Sequence, residues 1–82
     1  MQRSEVYEKV VKVLTPHLDE PGAAEKIAPG AHIIDDLGVN SARLIDVVIE
    51  LEDAFGVAVG DDELDAIATI DDVVSLVAAK LG

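Results

Sequence analysis

The sequence predicts an all-α fold: a small four-helix bundle of three main helices and one short third helix, with a long first loop. Three observations carry that prediction. Apolar residues recur at helical spacing in three stretches, each bounded by residues that start or stop helices. Half of the 82 residues are apolar, mostly Val, Ile, Leu and Ala, and Tyr7 and Phe55 are the aromatic ones. That composition suits a small aliphatic helical core. The runs Ile33-Ile34 and Val57-Ala58-Val59 are too short to argue for a sheet.

Taken in order, Ser4 is placed to cap a first helix, with Glu5 in its first turn, where a carboxylate is favoured by the helix dipole. Val6, Val10, Val13 and Leu14 form its buried stripe, and Glu5, Glu8, Lys9 and Lys12 face water. Pro16 removes a backbone donor and disfavours helical geometry at Thr15, so the helix ends or kinks there, with Leu18 still reaching the core. Residues 19–40 contain Pro21-Gly22 and Pro29-Gly30, strong breakers. Between them Ala23 to Ile27 suits a short turn, and Ile33, Ile34 and Leu37 are expected to pin the loop across the bundle. Asn40 is a good N-cap for the second helix. Leu44, Val48, Leu51 and Phe55 then recur along one face, and Gly56 stops the helix because it takes the left-handed conformation without penalty. Asp61 to Ile67 opens with three acids and is expected to make about two helical turns. Thr69 with Asp72 resembles a capping box, and Ile70, Val73, Val74, Val77 and Leu81 give the last helix its core face.

One domain spanning residues 1–82 is expected, near the lower size limit for folding without staples. No cysteine is present, so neither a disulfide framework nor a thiolate metal site contributes. The net charge is −11, and it is uneven: residues 1–34 hold five acids and four bases, residues 35–82 twelve acids and two bases. Such a field repels nucleic acid and anionic lipid and attracts basic surfaces. The lack of aromatics also argues against stacking single-stranded bases. No apolar run approaches the roughly 20 residues of a membrane span, and the N-terminus lacks the apolar segment of a signal peptide. A cytoplasmic protein is expected.

No catalytic constellation emerges. His17 and His32 read as surface or loop histidines, with no spacing that sets either beside a nucleophile. The glycines never form a phosphate-cradling motif followed by Lys-Ser/Thr. Asp35-Asp36, Asp61-Asp62 and Asp71-Asp72 lack the alternating spacing of a calcium loop, so no dedicated metal site is expected. Ser41 remains: a serine at the head of a helix whose polar side carries Asp46, Glu50, Glu52 and Asp53 against Arg43. On its own it reads as a good structural residue for a helix start.

The chain nonetheless resembles an acyl carrier protein along nearly its whole length. Val6, Val10, Val13, Leu14 and Leu18 resemble that family's first helix. Asp36-Leu37-Gly38-x2-Ser41 resembles its attachment motif, usually D-L-G-x-D-S-L, and Glu50 to Val57 the acidic end of its second helix. Asp61-Asp62-Glu63-Leu64 with Ile67, Thr69, Ile70 and Val73 resembles helix three and the start of helix four. The resemblance implies a carrier, not a catalyst. In it Ser41 is esterified by 4′-phosphopantetheine, whose thiol holds an acyl chain as a thioester. It further implies a monomer that meets a phosphopantetheinyl transferase and acyl-processing enzymes of fatty-acid or specialised lipid synthesis through their basic docking patches. Asp46, Glu52 and Asp53 match the family's docking acids by position, and Ile45 and Ile49 its exposed apolar contacts. With Asn40, Ala42, Arg43 and Glu50 they form the expected partner-binding set. Asn40 and Ala42 stand where the family usually has Asp and Leu, and Gly60 where a proline is common. That alteration is similar to carriers dedicated to one pathway, such as those for very-long-chain fatty acids. An aminoacyl or polyketide carrier, or an unmodified acidic interaction module, are the alternative readings.

Overall fold

The computed structural model describes residues 2–82, which form helices α1 (Arg3–Leu14), α2 (Ser41–Phe55), α3 (Asp61–Asp65) and α4 (Ile70–Leu81). Single 3₁₀ turns cover Thr15–His17 and Ala23–Lys26 in the first connection. The all-α bundle with a long first loop is therefore the observed architecture. No described helix is long and apolar enough to cross a membrane.

Helix α1 starts two residues earlier than a Ser4 cap would place it. Gln2 is its extended N-cap and offers no side-chain bond, while Ser4 lies inside the first turn. The start is held by tertiary structure instead: the Arg3 guanidinium reaches Asp71 and Ser75 on α4. At the other end Thr15 keeps helical φ/ψ, and Pro16 sits at the start of a 3₁₀ turn. Proline's missing N–H costs nothing in a first turn, so the chain tightens instead of breaking.

The core is aliphatic. Val6, Val10 and Leu14 of α1 meet Leu44, Val47, Val48 and Leu51 of α2 and Ile70, Val73, Val74 and Val77 of α4. Helix α1 lies mainly against α4 and then against α2. Among the described residues no polar or charged residue is fully buried, but His17, expected at the surface, is largely covered, its Nε2 beside Glu50 and its Nδ1 buried without a hydrogen-bond partner. Four expected core residues depart from the pattern, among them Val13, which is only partly buried. Phe55 is only half-buried, with Lys9 Nζ 5.6 Å from its ring centre. Leu81 is 38% exposed because α4 outruns the bundle at its last turn, and Ile34 is 39% exposed.

The long loop crosses the bundle as expected, pinned by Ile33 and Leu37, with Ala31 and Val39 added and Ile34 left out. Ala31, Ile33, Leu37 and Val39 are buried, while Ile34 lies exposed in the turn that follows His32. An isolated antiparallel bridge between His32 and Thr69 ties the loop to the entry of α4. The Ile33 N–H donates to Ala68 O at 2.9 Å and the Ile70 N–H to Ala31 O at 3.1 Å. At the start of α4 the Thr69–Asp72 capping box is complete. Thr69 Oγ1 accepts from the Asp72 N–H at 3.1 Å, and Asp72 Oδ2 accepts from the Thr69 N–H at 2.9 Å. Helix α3 is shorter than two full turns and has no buried residue.

Candidate functional site

The segment leading to Ser41 is a set turn. The Asp36 carboxylate accepts from the His32 N–H at 2.8 Å, and the Asp36 N–H donates back to His32 O at 2.8 Å. Leu37, fully buried, anchors the turn in the core. Gly38 then adopts φ +71, where the Glu20 carboxylate lies so close that an added Cβ would sit 2.6 Å from it. Each residue of the Asp-Leu-Gly run thus has a local duty: closing, anchoring and turning.

Asn40 launches α2. Its Oδ1 accepts from the Arg43 N–H at 2.8 Å, and Gly56 ends the helix at φ +66. Ser41 and Ala42 occupy the first turn and are exposed. Ser41 opens onto a groove of about 280 Å³ lined by Ile34, Leu44, Ile45, Leu64 and Ile67. Among the described residues no histidine is directed at the serine: His17 Nε2 lies 3.1 Å from Glu50, and His32 Nδ1 accepts from the Asp35 N–H. Its hydroxyl is accessible but not activated, so a nucleophilic role needs a base brought from outside. The α2 N-terminus above it favours an anion, and a phosphodiester at Ser41 would benefit from that dipole.

The acids and apolar residues of α2 divide into two groups. Ile45 and Ile49, one turn apart, are 48% and 56% exposed. Asp46 and Asp53 are exposed, and no described cation pairs with either. The remaining charges already have partners. Arg43 holds Asp19 at 3.1 Å, Glu50 faces His17, and Glu52 accepts from the Val59 N–H at 2.8 Å. The surface open to another molecule is Asp46 and Asp53 with Ile45 and Ile49, beside Ala42 and Ser41. Sequence reasoning did not find Asp19 and Glu20, which the first loop carries over the head of α2, nor Leu64 and Ile67 as the far wall of the groove. Two apolar residues inside an acidic segment were the available sign of that wall.

Two carboxyls on the α4 side of α3 are held below the usual carboxylate range. Glu63 is lowered first by the Gly60 N–H, which it accepts at 3.0 Å, and then by Lys80 Nζ at 2.8 Å. Asp72 is lowered by the N–H groups of Thr69 and then Ala68.

An exposed, unactivated serine at a helix head, with an apolar groove beside it and an acidic face below, describes a protein built to be modified and handed on. Residues 10–77 match the phosphopantetheine attachment site family. The chain is 40% identical over 82 residues to the acyl carrier protein of Thermotoga maritima, covering 98% of this chain and 96% of that one. It is 39% identical over 74 residues to the acyl carrier protein of Sinorhizobium fredii, covering 90% and 92%. The solved acyl carrier protein of Enterococcus faecalis superposes with a TM-score of 0.78 at 32% identity, covering 98% and 99%. The chain belongs to the acyl carrier protein family, the carriers of acyl chains on phosphopantetheine.

Proposed function

We propose that Ser41 is the residue that bears 4′-phosphopantetheine, and that the protein presents acyl groups to the enzymes of fatty-acid or specialised lipid synthesis. The observation that carries this reading is the exposed Ser41 at the mouth of an apolar groove of about 280 Å³. When bound, the group supplies a thiol on a long arm, on which the acyl chain rides as a thioester. The chain's own part is to expose the hydroxyl, to favour the phosphate at the α2 N-terminus, and to offer aliphatic walls to the cargo. Asp46 and Asp53, with Ile45 and Ile49, form the face that meets basic patches on the transferase and on acyl-processing enzymes. Arg43, Glu50 and Glu52 shape that face through their internal contacts, and Asn40 and Ala42 border the modified serine. In this reading the protein is a single-domain cytoplasmic monomer and not itself an enzyme.

The test is Ser41→Ala. Incubated with a phosphopantetheinyl transferase and coenzyme A, the native chain gains the mass of one phosphopantetheine and the variant gains none. At an exposed position the substitution changes stability by at most about 0.5 kcal/mol. Loading that persists in the variant would overturn the assignment.

A further inference from the structure

At about 280 Å³ the groove beside Ser41 falls just under the roughly 300–1,000 Å³ of ordinary small-molecule sites. A short chain fits; a long one requires a wall to move. Helix α3 is the wall built to do so. It is five residues long with none buried, and Leu64 and Ile67 touch the core only in part. A second groove of about 280 Å³, lined by Ala66, Ile67, Ser75 and Leu76 among others, lies on its α4 side. Ile67 borders both grooves. The ends of the segment are pinned, Val59 by its N–H to Glu52 and Ala68 by its N–H to Asp72. Between those points the side-chain polar ties run through Glu63, which accepts from the Gly60 N–H and pairs with Lys80 on the last turn of α4.

We propose that the Glu63–Lys80 pair is a strap that ties α3, the far wall of the cargo groove, to the last turn of α4, and so sets which acyl chain lengths the protein shelters. The proposal rests on the carrier role argued above. An intact strap opposes the displacement that a long chain requires and leaves a short chain unaffected. The pair is part-exposed, Lys80 at 25% and Glu63 at 39%, so its contribution is modest and screened by salt. Glu63 and Lys80 are positioning residues, acting on the cargo through α3.

The first measurement is amide hydrogen exchange on the unloaded protein. Lys80→Met keeps the aliphatic stem, and Glu63→Gln keeps an acceptor for the Gly60 N–H; each removes one charge of the pair. Exchange at Leu64, Ala66 and Ile67 should rise roughly two- to five-fold in both, with the α1 and α4 core amides unchanged. Lys80→Arg should restore the native rates. The two neutralising variants move the net charge of −11 in opposite directions, so a shared effect cannot arise from overall repulsion.

The second measurement is hydroxylamine cleavage of the thioester on the phosphopantetheinylated protein. In Lys80→Met a hexadecanoyl thioester should be cleaved roughly two- to five-fold more slowly than in the native protein, and a hexanoyl thioester at the native rate. Unchanged α3 exchange in a protein that loads normally overturns the strap alone. Equal shifts for both chain lengths overturn its role in cargo length. Failure of Ser41 to load overturns the carrier reading and the cargo role with it.

Discussion

Ser41 lies between two neighbours that differ from the family's usual pair. Asn40 keeps the cap, its Oδ1 2.8 Å from the Arg43 N–H, but adds no charge. Ala42 is exposed beside the serine and offers little apolar area. Restoring Asp and Leu there adds a charge and three carbons at the point where a partner's active site must approach. At about 0.8 kcal/mol per buried CH₂, less where the contact stays wet, the gain is roughly 1–2 kcal/mol, or about tenfold in recognition. Asn40→Asp with Ala42→Leu should therefore be loaded and used about tenfold better by general fatty-acid synthesis enzymes. Side-by-side kinetics with one transferase and one malonyl-loading enzyme check it. A native chain that already matches the double variant would remove the case for a dedicated carrier.

At the scale of elements, α3 and α4 both depend on carboxylates that accept backbone N–H groups. Asp72 takes those of Thr69 and Ala68 and is held below its ordinary pKa by them, with burial opposing. The folded state thus binds its proton more weakly than the unfolded one. The stabilisation is complete above the ordinary carboxylate pKa and is lost as pH falls through the folded value. Asp72→Asn keeps an acceptor and removes the charge. It should be less stable than the native protein by under about 1 kcal/mol at pH 7, since the group is exposed. That gap should close in strong acid, as followed by urea unfolding at several pH values. A gap independent of pH would show that the charge adds nothing to the cap.

For the whole molecule the governing quantity is the net charge of −11 on 82 residues, of which residues 35–82 hold twelve acids against two bases. The partners the structure provides, such as Asp19 for Arg43 and Glu63 for Lys80, are surface pairs and offset little of that repulsion. Screening should therefore stabilise the fold. If moderate salt relieves about 1 kcal/mol, the melting temperature rises by about 4–8 °C for a domain of this size. Binding to a basic partner should weaken under the same salt, because docking draws on the same charges. Thermal melts followed by circular dichroism and a binding titration across ionic strength measure both. A melting temperature flat across that range would show that the repulsion is already relieved within the native state.

The four helices, the Asn40 cap, the Gly56 stop and the Thr69–Asp72 box were legible because each depends on residues within one or two turns of one another. So was Ser41, placed by an Asp-Leu-Gly turn whose parts all lie within a few residues. The start of α1 was not legible, because Arg3 is held by Asp71 and Ser75, nearly the whole chain away. Nor was the outward turn of Ile34, which follows from the loop's bridge to Thr69. The acidic face of α2 was visible as a row of carboxylates, yet Glu50 and Glu52 are engaged by His17 and Val59 while Asp46 and Asp53 stay free. The α3 wall and its tie to Lys80 likewise exist only once α4 returns beside α3. Local hydrogen bonding and side-chain periodicity are written in neighbouring residues. Which charges find partners, and which apolar residues face a groove, is decided by segments that only folding brings together.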